Sequence, residues 1–407
     1  MRSCLIAIVV YLASASLSGA GCQRATNEIR IGEYSSLTGN TAVFGQSAHE
    51  GILLATEETN AAGGVLSRRI RLITEDDQSK PEEAKTAVLK LIKRHKVAAI
   101  LGEIASSRSL AAAPECQRQR IPMLTPGSTN PKVTEVGNYI FRSCFIDPVQ
   151  GGAMATFAFN TLGLRRVAIL KDTKNDYSVG LADFFRRAFE RLGGTIVAEE
   201  AYAEGDIEFR SQLAAIRPQE PEALYLPGYY TEVGLIARQA REMGIAVPLL
   251  GGDGWDSEKT IEIGGAAVEG SYFTNHYAPD DPLPAVRKFA ERYTTRFGHA
   301  PNGISALGYD AARLLFDAIS RAGVPEPARI RDALASTKGF PGVAGAITID
   351  ANRNASKRIV ILRVSNGVFV FASNVELPPE GGSHDRHSAS PSHADPARLD
   401  GVHPKHQ

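Results

Sequence analysis

The amino-acid sequence predicts an α/β protein built from two doubly wound, parallel-sheet lobes. Along most of the chain, short apolar runs typical of buried strands alternate with helical patterns, which is the order of a parallel sheet with crossover helices. The alternation starts afresh after residues 145–148. The chain has 407 residues, more than the roughly 250–300 that one hydrophobic core supports, so we expect a second core.

The composition is that of an ordinary folded protein. Lys and Arg together number 45, Asp and Glu together number 45, and 43% of the residues are hydrophobic. Such a chain is not disordered overall, and it has no excess of basic residues that would line a nucleic-acid groove. We therefore expect a substantial core and no nucleic-acid partner.

The first lobe begins with two strand patterns, each followed by a helical pattern. Residues 29–34 and 69–74 alternate like strands, and the helical patterns cover residues 49–60 and 81–95. Pro81 suits the first turn of the second helix, where its missing N–H costs nothing.

The stretch from Val97 to Pro131 organises the first lobe. It reads as a strand at 97–101, a hydroxyl-rich loop, a helix starting at Leu110, a strand at 121–124 and a second hydroxyl-rich loop at 125–131. Neighbouring parallel strands bring such loops together at their carboxyl ends, where α/β proteins bind ligands.

The first of these loops suits an anionic group such as a carboxylate. Ser106 or Ser107 can cap the following helix, and the free N–H groups and positive dipole end of that helix would face the cleft. The alternative is that the serines only cap the helix and that residues 125–131 only form a turn.

The second half of the chain repeats the pattern and ends in a hairpin. A helix reaching Leu162 is followed by strands, helices and polar loops in turn, and Asn366-Gly367 is a hairpin turn signal. The predicted strands are 167–170, 195–198, 223–226, 247–250, 271–275, 358–364 and 368–371; the helices are 181–192, 284–297, 305–321 and 327–336; and the loops at strand ends are 171–177, 227–231 and 251–256.

The two ends of the chain are set apart from the lobes. Residues 1–21 have the basic start, short apolar run and small residues of an export signal, and Cys22 follows at a site similar to that of bacterial lipoproteins. Lipid attachment at Cys22 or cleavage to a soluble periplasmic form are both compatible with this segment. Residues 378–407 are too poor in apolar groups to fold, so we expect a disordered tail.

The cysteines and the absence of catalytic motifs limit the chemistry that the sequence supports. Cys116 and Cys144 could form a disulfide in an exported protein or remain two buried thiols. The sequence contains no Gly-x-Ser-x-Gly, no His-Glu-x-x-His and no phosphate-binding loop motif. An exported hydrolase using Ser106 or Ser128 with a histidine is therefore disfavoured, and we expect no catalysis, no cofactor and no metal.

Seven short motifs, in this order and spacing, resemble those of the periplasmic leucine/isoleucine/valine-binding proteins of bacterial ABC importers. They are GEYSSLTG at 32–39, NAAGG at 60–64, ASS at 105–107, TPGSTNP at 125–131, YIFR at 139–142, GYYTE at 228–232 and GGDG at 251–254.

This resemblance implies the type I periplasmic binding fold, in which three crossover strands form a hinge between two lobes. By similarity the crossovers fall near Phe145, His276 and Asn354. Lobe 1 would then combine residues 27–147 with 277–355, and lobe 2 would combine residues 148–276 with 356–377.

The resemblance also implies a ligand site between the lobes. A ligand carboxylate would be held by Ser106, Thr129 and the backbone at Gly127, and a ligand ammonium by Asp253, where the best-known members carry glutamate. The remaining residues implied to contact the ligand are Tyr177 and Tyr229 on the second lobe and, for side-chain specificity, Phe44, Ile104 and Ala105. Asp253 has a shorter side chain than glutamate, and Glu103 lies beside the pocket, so the identity of the ligand stays open.

The function implied is that of an extracytoplasmic, monomeric receptor that binds a branched-chain or similar amino acid and delivers it to an ABC permease in the inner membrane. When the lobes close, the charged groups of the ligand would lose their water and pair with protein groups instead. The alternative within the same fold is a sensor for amides or other small polar molecules.

Overall fold

The computed structural model describes residues 28–374, and within them strands and helices alternate as the sequence predicts. The strands are β1 (Glu28–Ser35), β2 (Arg69–Asp76), β3 (Ala99–Leu101), β4 (Met123–Thr125), β5 (Ile140–Arg142), β6 (Arg166–Asp172), β7 (Thr195–Tyr202), β8 (Ala223–Leu226), β9 (Leu249–Gly251), β10 (Tyr272–Asn275), β11 (Phe340–Gly342), β12 (Gly345–Ile349), β13 (Ala355–Ser356), β14 (Val360–Ser365) and β15 (Val368–Asn374).

The helices lie mostly between consecutive parallel strands. They are α1 (Ala42–Ala61), α2 (Pro81–Lys90), α3 (Ser106–Gln119), α4 (Lys132–Glu135), α5 (Asp147–Thr156), α6 (Asp176–Arg191), α7 (Arg210–Ile216), α8 (Tyr230–Glu242), α9 (Glu258–Gly264), α10 (Pro284–Phe297), α11 (Gly303–Ala322) and α12 (Pro327–Ala335). A wider π turn extends α2 through Leu91–His95 and α5 through Phe157–Thr161. None of these helices is long and apolar enough to cross a membrane.

The first sheet is parallel throughout, in the order β2-β1-β3-β4-β5. Helices cover both faces, which is why its central strands are apolar without alternation. Ala99 and Leu101 of β3 pack into one apolar cluster with α1 and α11, while Ile100 packs into another with α2 and α3.

The second sheet has the order β15-β14-β10-β9-β8-β6-β7. Strands β6 to β10 pair in parallel, and the antiparallel strands β14 and β15 complete one edge. Val167 and Ile169 of β6 face α5 and α6, whereas Ala168 and Leu170 face α7 and α8. Both lobes are therefore doubly wound, as predicted.

Three chain passages connect the second sheet with the first sheet and the segment from α10 to β13 that packs on it: from β5 to α5, from β10 to α10, and from β13 to β14. They contact one another, since Phe145 and Ile359 share an apolar cluster and the Phe145 and His276 rings stack with centroids 3.5 Å apart. This is the expected hinge of three crossovers. The lobe boundaries at 27–147 with 277–355 and at 148–276 with 356–377 stay a prediction.

Three helices begin earlier than the sequence predicts. α1 begins at Ala42 rather than at residue 49, and α6 begins at Asp176 rather than at residue 181. The predicted start of α3 at Leu110 is wrong, because the helix begins at Ser106 and its N-cap is Ala105 in an extended conformation. Neither Ser106 nor Ser107 caps the helix; both lie in its first turn, where their hydroxyl groups are free for other partners.

Several short elements were not predicted. The helices α7, α8 and α9 and the small antiparallel sheet β11-β12-β13 are absent from the sequence interpretation. The small sheet packs on α11, where Asp310 accepts hydrogen bonds from the Val343 N–H at 2.8 and 3.0 Å.

The two cysteines of the lobes are separate buried thiols. Cys116 lies in α3 and Cys144 lies in the first hinge passage, so no disulfide joins them. Burial raises the pKa of both thiols, to about 12 for Cys144, so neither is a ready nucleophile. The predicted export signal at 1–21, the attachment point Cys22 and the predicted tail at 378–407 lie outside the described residues.

Candidate functional site

The loop after β3 is tied to the second lobe and to the loop after β4. Ser106 Oγ accepts a hydrogen bond from the Asn130 N–H at 3.1 Å, and Ser107 Oγ accepts one from the Asp176 N–H at 2.9 Å. Asn130 Nδ2 in turn donates to the Asp176 carbonyl at 2.8 Å. The two hydroxyl-rich loops therefore meet at the cleft, as predicted from their places at strand ends.

A buried arginine shapes the second loop. Arg142, at the end of β5, is fully buried and donates to the carbonyl groups of Ser128 and of Asn130, the latter at 2.8 Å. These carbonyls lie on either side of Thr129. From within the loop, Thr125 Oγ1 accepts the Ser128 N–H at 2.9 Å. The position of Thr129 is thus fixed by its neighbours, which leaves its own side chain free.

Thr129 and Asp147 lie together where the loop after β4 meets the start of α5. The Asp147 N–H donates to the Thr129 carbonyl at 3.0 Å. Thr129 Oγ1 and Asp147 Oδ2 are both buried and have no hydrogen-bond partner among the residues described. The pKa of Asp147 is raised to about 7, chiefly by burial; the Thr129 hydroxyl opposes the rise, and the negative charge of Asp253 adds to it to a lesser extent.

Asp253 follows β9 and faces the same region from the second lobe. Its N–H donates to Gln150 Oε1 at 3.1 Å, and Gln150 Nε2 donates to Asp147 Oδ1 at 3.1 Å. Gln150 therefore lies between the two acidic residues and hydrogen-bonds to both. Asp253 Oδ2 lies 3.0 Å from His276 Nε2. Asp253 Oδ1 is buried without a partner in the described chain.

Two tyrosines form the adjoining wall. The Gly254 N–H donates to the Tyr177 hydroxyl at 3.0 Å, and the Tyr177 and Tyr229 rings stack with centroids 5.3 Å apart. A side chain on either neighbouring glycine would collide with these rings: a Cβ on Gly252 would lie 2.4 Å from the Tyr177 hydroxyl and one on Gly254 2.9 Å from the Tyr229 ring. The glycines around Asp253 therefore make room for the tyrosines.

An apolar surface completes the site. Phe44 meets Tyr229 edge to face with centroids 5.5 Å apart, and it shares one cluster of buried residues with Ile104 and Ala105. Ile304 and Leu307, from the first turns of α11, belong to the same cluster. Such a surface accommodates an aliphatic group.

The nine residues predicted to bind ligand thus fall in one region. Contacts run continuously from Phe44 through Tyr229 and Tyr177 to Asp253, and from there through Gln150, Asp147 and Thr129 to Asn130 and Ser106. Gly127 belongs to the Thr129 loop and lies against Ile104. That each of the nine contacts a ligand stays a prediction.

Glu103 is not a pocket residue, which removes one doubt raised by the sequence. Its carboxylate accepts hydrogen bonds from the N–H and hydroxyl of Ser36, at 3.2 and 2.7 Å, and from the Ala105 N–H. It also pairs with Arg108 at 3.2 Å, and both side chains are buried. With every acceptor position occupied, Glu103 supports the first loop.

The serines proposed for the rival hydrolase have structural partners. Ser128 Oγ donates to the carbonyl of Glu103 at 2.9 Å and lies 2.7 Å from Ser109 Oγ. Ser106 Oγ accepts the Asn130 N–H. In residues 28–374, no histidine hydrogen-bonds to either serine, and no three His, Cys, Asp or Glu side chains are arranged to hold a metal ion.

The sequence interpretation missed five side chains of this region: Asp147, Gln150, His276, Ile304 and Leu307. An acid and an amide three residues apart at the start of α5 share one helix face, which was an available signal. His276 was noted only for its place near the hinge.

The lobes contact one another around the site. The Tyr230 hydroxyl of the second lobe donates to the Asn40 carbonyl of the first at 2.8 Å. Asp256, fully buried, lies against the backbone N–H groups of Gly303 and Ile304 at the start of α11, and burial raises its pKa to about 7. The site is therefore enclosed by both lobes.

Known proteins match this architecture. The profile of a family described as "Periplasmic binding protein" matches residues 28–368. The chain belongs to this family. It is a family of solute-binding proteins, not of enzymes.

The relatives of this periplasmic binding protein are amino-acid-binding proteins by name. An amino acid binding protein of Pseudomonas aeruginosa is 32% identical over 332 residues, which cover 81% of this chain and 87% of the relative. A Leu/Ile/Val-binding protein homolog of Brucella abortus is 29% identical over 335 residues, covering 81% and 88%.

Solved structures show the same fold. The leucine-binding protein LivK from Thermotoga maritima has a TM-score of 0.82 and 42% identity, covering 85% of this chain and 98% of its own. LivJ from Streptococcus pneumoniae, a branched-chain amino acid transporter substrate-binding protein solved in complex with isoleucine, has a TM-score of 0.81 and 30% identity, covering 86% and 99%.

Proposed function

We propose that this protein is the extracytoplasmic substrate-binding component of an ABC importer and captures a branched-chain or similar α-amino acid between its lobes. One observation carries the proposal. Thr129 Oγ1, Asp147 Oδ2 and Asp253 Oδ1 are buried without hydrogen-bond partners in the described chain, and both Thr129 and Asp253 are near enough to Asp147 to shift its pKa. An ammonium group offers three N–H donors and a positive charge, which is what these three oxygen atoms require.

The arrangement also assigns the other end of an amino acid. Because the Thr129 hydroxyl lies beside the Asp147 carboxyl, we assign that hydroxyl to the ammonium rather than to the carboxylate. The ligand carboxylate would then bind Ser106 and the free N–H groups at the start of α3, where the helix dipole favours negative charge. The Gly127 N–H, which donates to Thr125 Oγ1 at 3.3 Å, would serve the carboxylate only if it were shared between the two acceptors.

The side chain of the ligand would lie on the apolar surface of Phe44, Ile104 and Ala105, enlarged by Ile304 and Leu307. These five side chains are apolar, so an aliphatic side chain suits them. The solved relatives support the same choice, since LivK is a leucine-binding protein and LivJ was solved with isoleucine.

The partner would be an ABC permease in the inner membrane, which receives the ligand from a monomeric receptor. Export by residues 1–21 and lipid attachment at Cys22 would keep the protein at the periplasmic face of a membrane. Alternatively, the same fold would serve as a sensor for amides or other small polar molecules. Amides bring no cation to the two buried acids, which favours the amino acid.

A thermal-shift screen of amino acids, short amides and urea, followed by calorimetric titration of each hit, tests the proposal. We expect leucine, isoleucine or a similar amino acid to raise the melting temperature and to be recovered unchanged. Stabilisation by amides without any amino acid hit would favour the sensor, and turnover of a hit would favour the hydrolase.

A further inference from the structure

His276 joins the proposed ammonium site to the hinge. It lies in the passage between β10 and α10, its side chain is 1% exposed, and its ring stacks on Phe145 of the first passage with centroids 3.5 Å apart. Its Nε2 atom lies 3.0 Å from Asp253 Oδ2. Because an ionised carboxylate only accepts hydrogen bonds, Nε2 carries the hydrogen and Nδ1 does not. Nδ1 is buried without a partner among residues 28–374.

Burial keeps the imidazole ring neutral. Burial lowers the pKa of His276 to about 4, against the opposing effect of the Asp253 carboxylate, and Lys357 of the third passage lowers it further. Lys357 itself lies 3.8 Å from the buried carboxylate of Asp310. A neutral donor can orient a carboxylate without cancelling its charge, which a lysine or arginine in the same place would do.

We infer that His276 is a positioning residue that holds one oxygen of Asp253 through a neutral donor, so that the other oxygen keeps its orientation and the carboxylate keeps its charge for a ligand ammonium. This inference rests on the proposed function and deepens it. It makes His276 a determinant of specificity for the charged amine, with no part in recognising the ligand side chain.

Two variants separate the donor from the ring. His276→Phe keeps an aromatic ring on Phe145 and removes the N–H, whereas His276→Gln can offer an amide N–H to Asp253 at a similar reach. The probes are L-leucine and 4-methylpentanoate, which is leucine without its amine, and calorimetric titration gives both affinities for each protein.

These substitutions should change only the affinity for leucine, the probe that carries an amine. In His276→Phe we expect leucine to bind about tenfold more weakly or worse, because the charged Asp253 carboxylate loses a hydrogen bond. The affinity for 4-methylpentanoate should equal that of the parent protein. His276→Gln should keep leucine affinity within about threefold of the parent. Equal losses for both probes, or identical behaviour of the two variants, would show that the ring only fills space and would overturn the inference.

A measurement without ligand keeps the two proposals distinguishable. If the parent protein binds no amino acid, the proposed function fails, and nitrogen NMR of the imidazole in the ligand-free protein decides the role of His276. We expect a neutral ring with hydrogen on Nε2 at pH 7 and a changed Nε2 resonance in Asp253→Ala. A protonated ring, hydrogen on Nδ1, or no response to Asp253→Ala would refute the positioning role.

Discussion

Replacing Asp253 by asparagine gives the sharpest test of the ammonium site. The His276 N–H would hold the asparagine carbonyl where it now holds Asp253 Oδ2. The amide NH₂ would then occupy the place of Asp253 Oδ1, which has no partner in the described protein. A ligand ammonium would meet a donor instead of a negatively charged acceptor.

The loss in binding can be bounded from this geometry. Truncating one partner of a buried, hydrogen-bonded charge pair costs about 2–5 kcal/mol, and each ~1.4 kcal/mol is a tenfold change in affinity. We therefore expect the dissociation constant for the amino acid to rise about 30-fold to several thousandfold. The pKa of Asp147, about 7 in the parent, falls when the Asp253 charge is removed, so Asp147 can still offer negative charge to the ammonium, and the lower half of this range is more in keeping with the structure.

The fold should not suffer. Asp253 and Asp147 are like charges that repel one another, and this repulsion contributes to the raised pKa of Asp147. Removing one of the charges should leave the ligand-free melting temperature unchanged or higher, and should lower the Asp147 pKa from about 7. A gain in stability with a loss of binding is the pattern expected of a functional residue.

Calorimetric titration and thermal unfolding of Asp253→Asn, with Asp317→Asn as the control, measure both effects. Asp317 forms an exposed ion pair with Arg321 on α11, so its substitution should change neither binding nor stability appreciably. Unchanged affinity in Asp253→Asn would mean that the aspartate only shapes its loop and that no amine is held there.

Four further outcomes are expected. Thr129→Val should weaken amino acid binding by about 1–3 kcal/mol by calorimetry, since a buried ammonium hydrogen loses its acceptor. Arg142→Met should lower the free energy of unfolding in urea by roughly 3 kcal/mol or more, because carbonyls on both sides of Thr129 lose a charged donor. The pKa of His276 is about 4 in the folded protein, below its value in the unfolded chain. The neutral ring therefore contributes its full stabilisation above about pH 6.5 and loses it as the pH falls towards 4. Between pH 7 and pH 4.5 the parent should lose about 2–3 kcal/mol of unfolding free energy relative to His276→Phe. Mass spectrometry of the membrane fraction should find a lipidated amino terminus at Cys22; a wholly soluble protein cut elsewhere would refute the anchor.

The sheets were predictable because their strands are buried on both faces. Apolar runs such as 97–101 and 167–170 are read directly from the sequence, and they coincide with β3 and β6 to within two residues. The strands β11 to β13 carry no such signal. Phe340-Pro-Gly342 resembles a turn, and it is a strand because it pairs with β12 while Phe340 packs in the cluster that includes α11. Local propensity was overridden there by tertiary contacts.

The start of α3 shows a different limit. Ser106 and Ser107 are typical capping residues, so the sequence placed the helix boundary after them. In the folded protein the Ser106 hydroxyl accepts the Asn130 N–H of the neighbouring loop, and the Ser107 hydroxyl accepts the Asp176 N–H of the second lobe. The choice between capping a helix and bridging two lobes depends on residues distant in the sequence, which the local pattern does not contain.

Asp147 could not be singled out for the same reason. An acid in the first turn of a helix is ordinary, because the helix dipole favours it. What sets Asp147 apart is complete burial beside a second acid and an oxygen without a partner, and both properties appear only when β9 and α5 are packed together. The loops at strand ends predicted where the ligand lies, but not all of the groups that meet it.

The placement of the three unpartnered oxygen atoms suggests how an amine would control the lobes. Thr129 belongs to the first sheet's loops, Asp253 to the second sheet's, and Asp147 stands where the first hinge passage enters α5. An ammonium bound to all three would connect both lobes and the hinge at one point. A ligand shifts a conformational equilibrium only through contacts that differ between the two states, and contacts divided in this way exist only when the lobes are together. An amino acid would therefore favour the closed arrangement more strongly than its des-amino analogue of equal apolar size, so the amine would supply the signal for closure while the side chain supplies affinity.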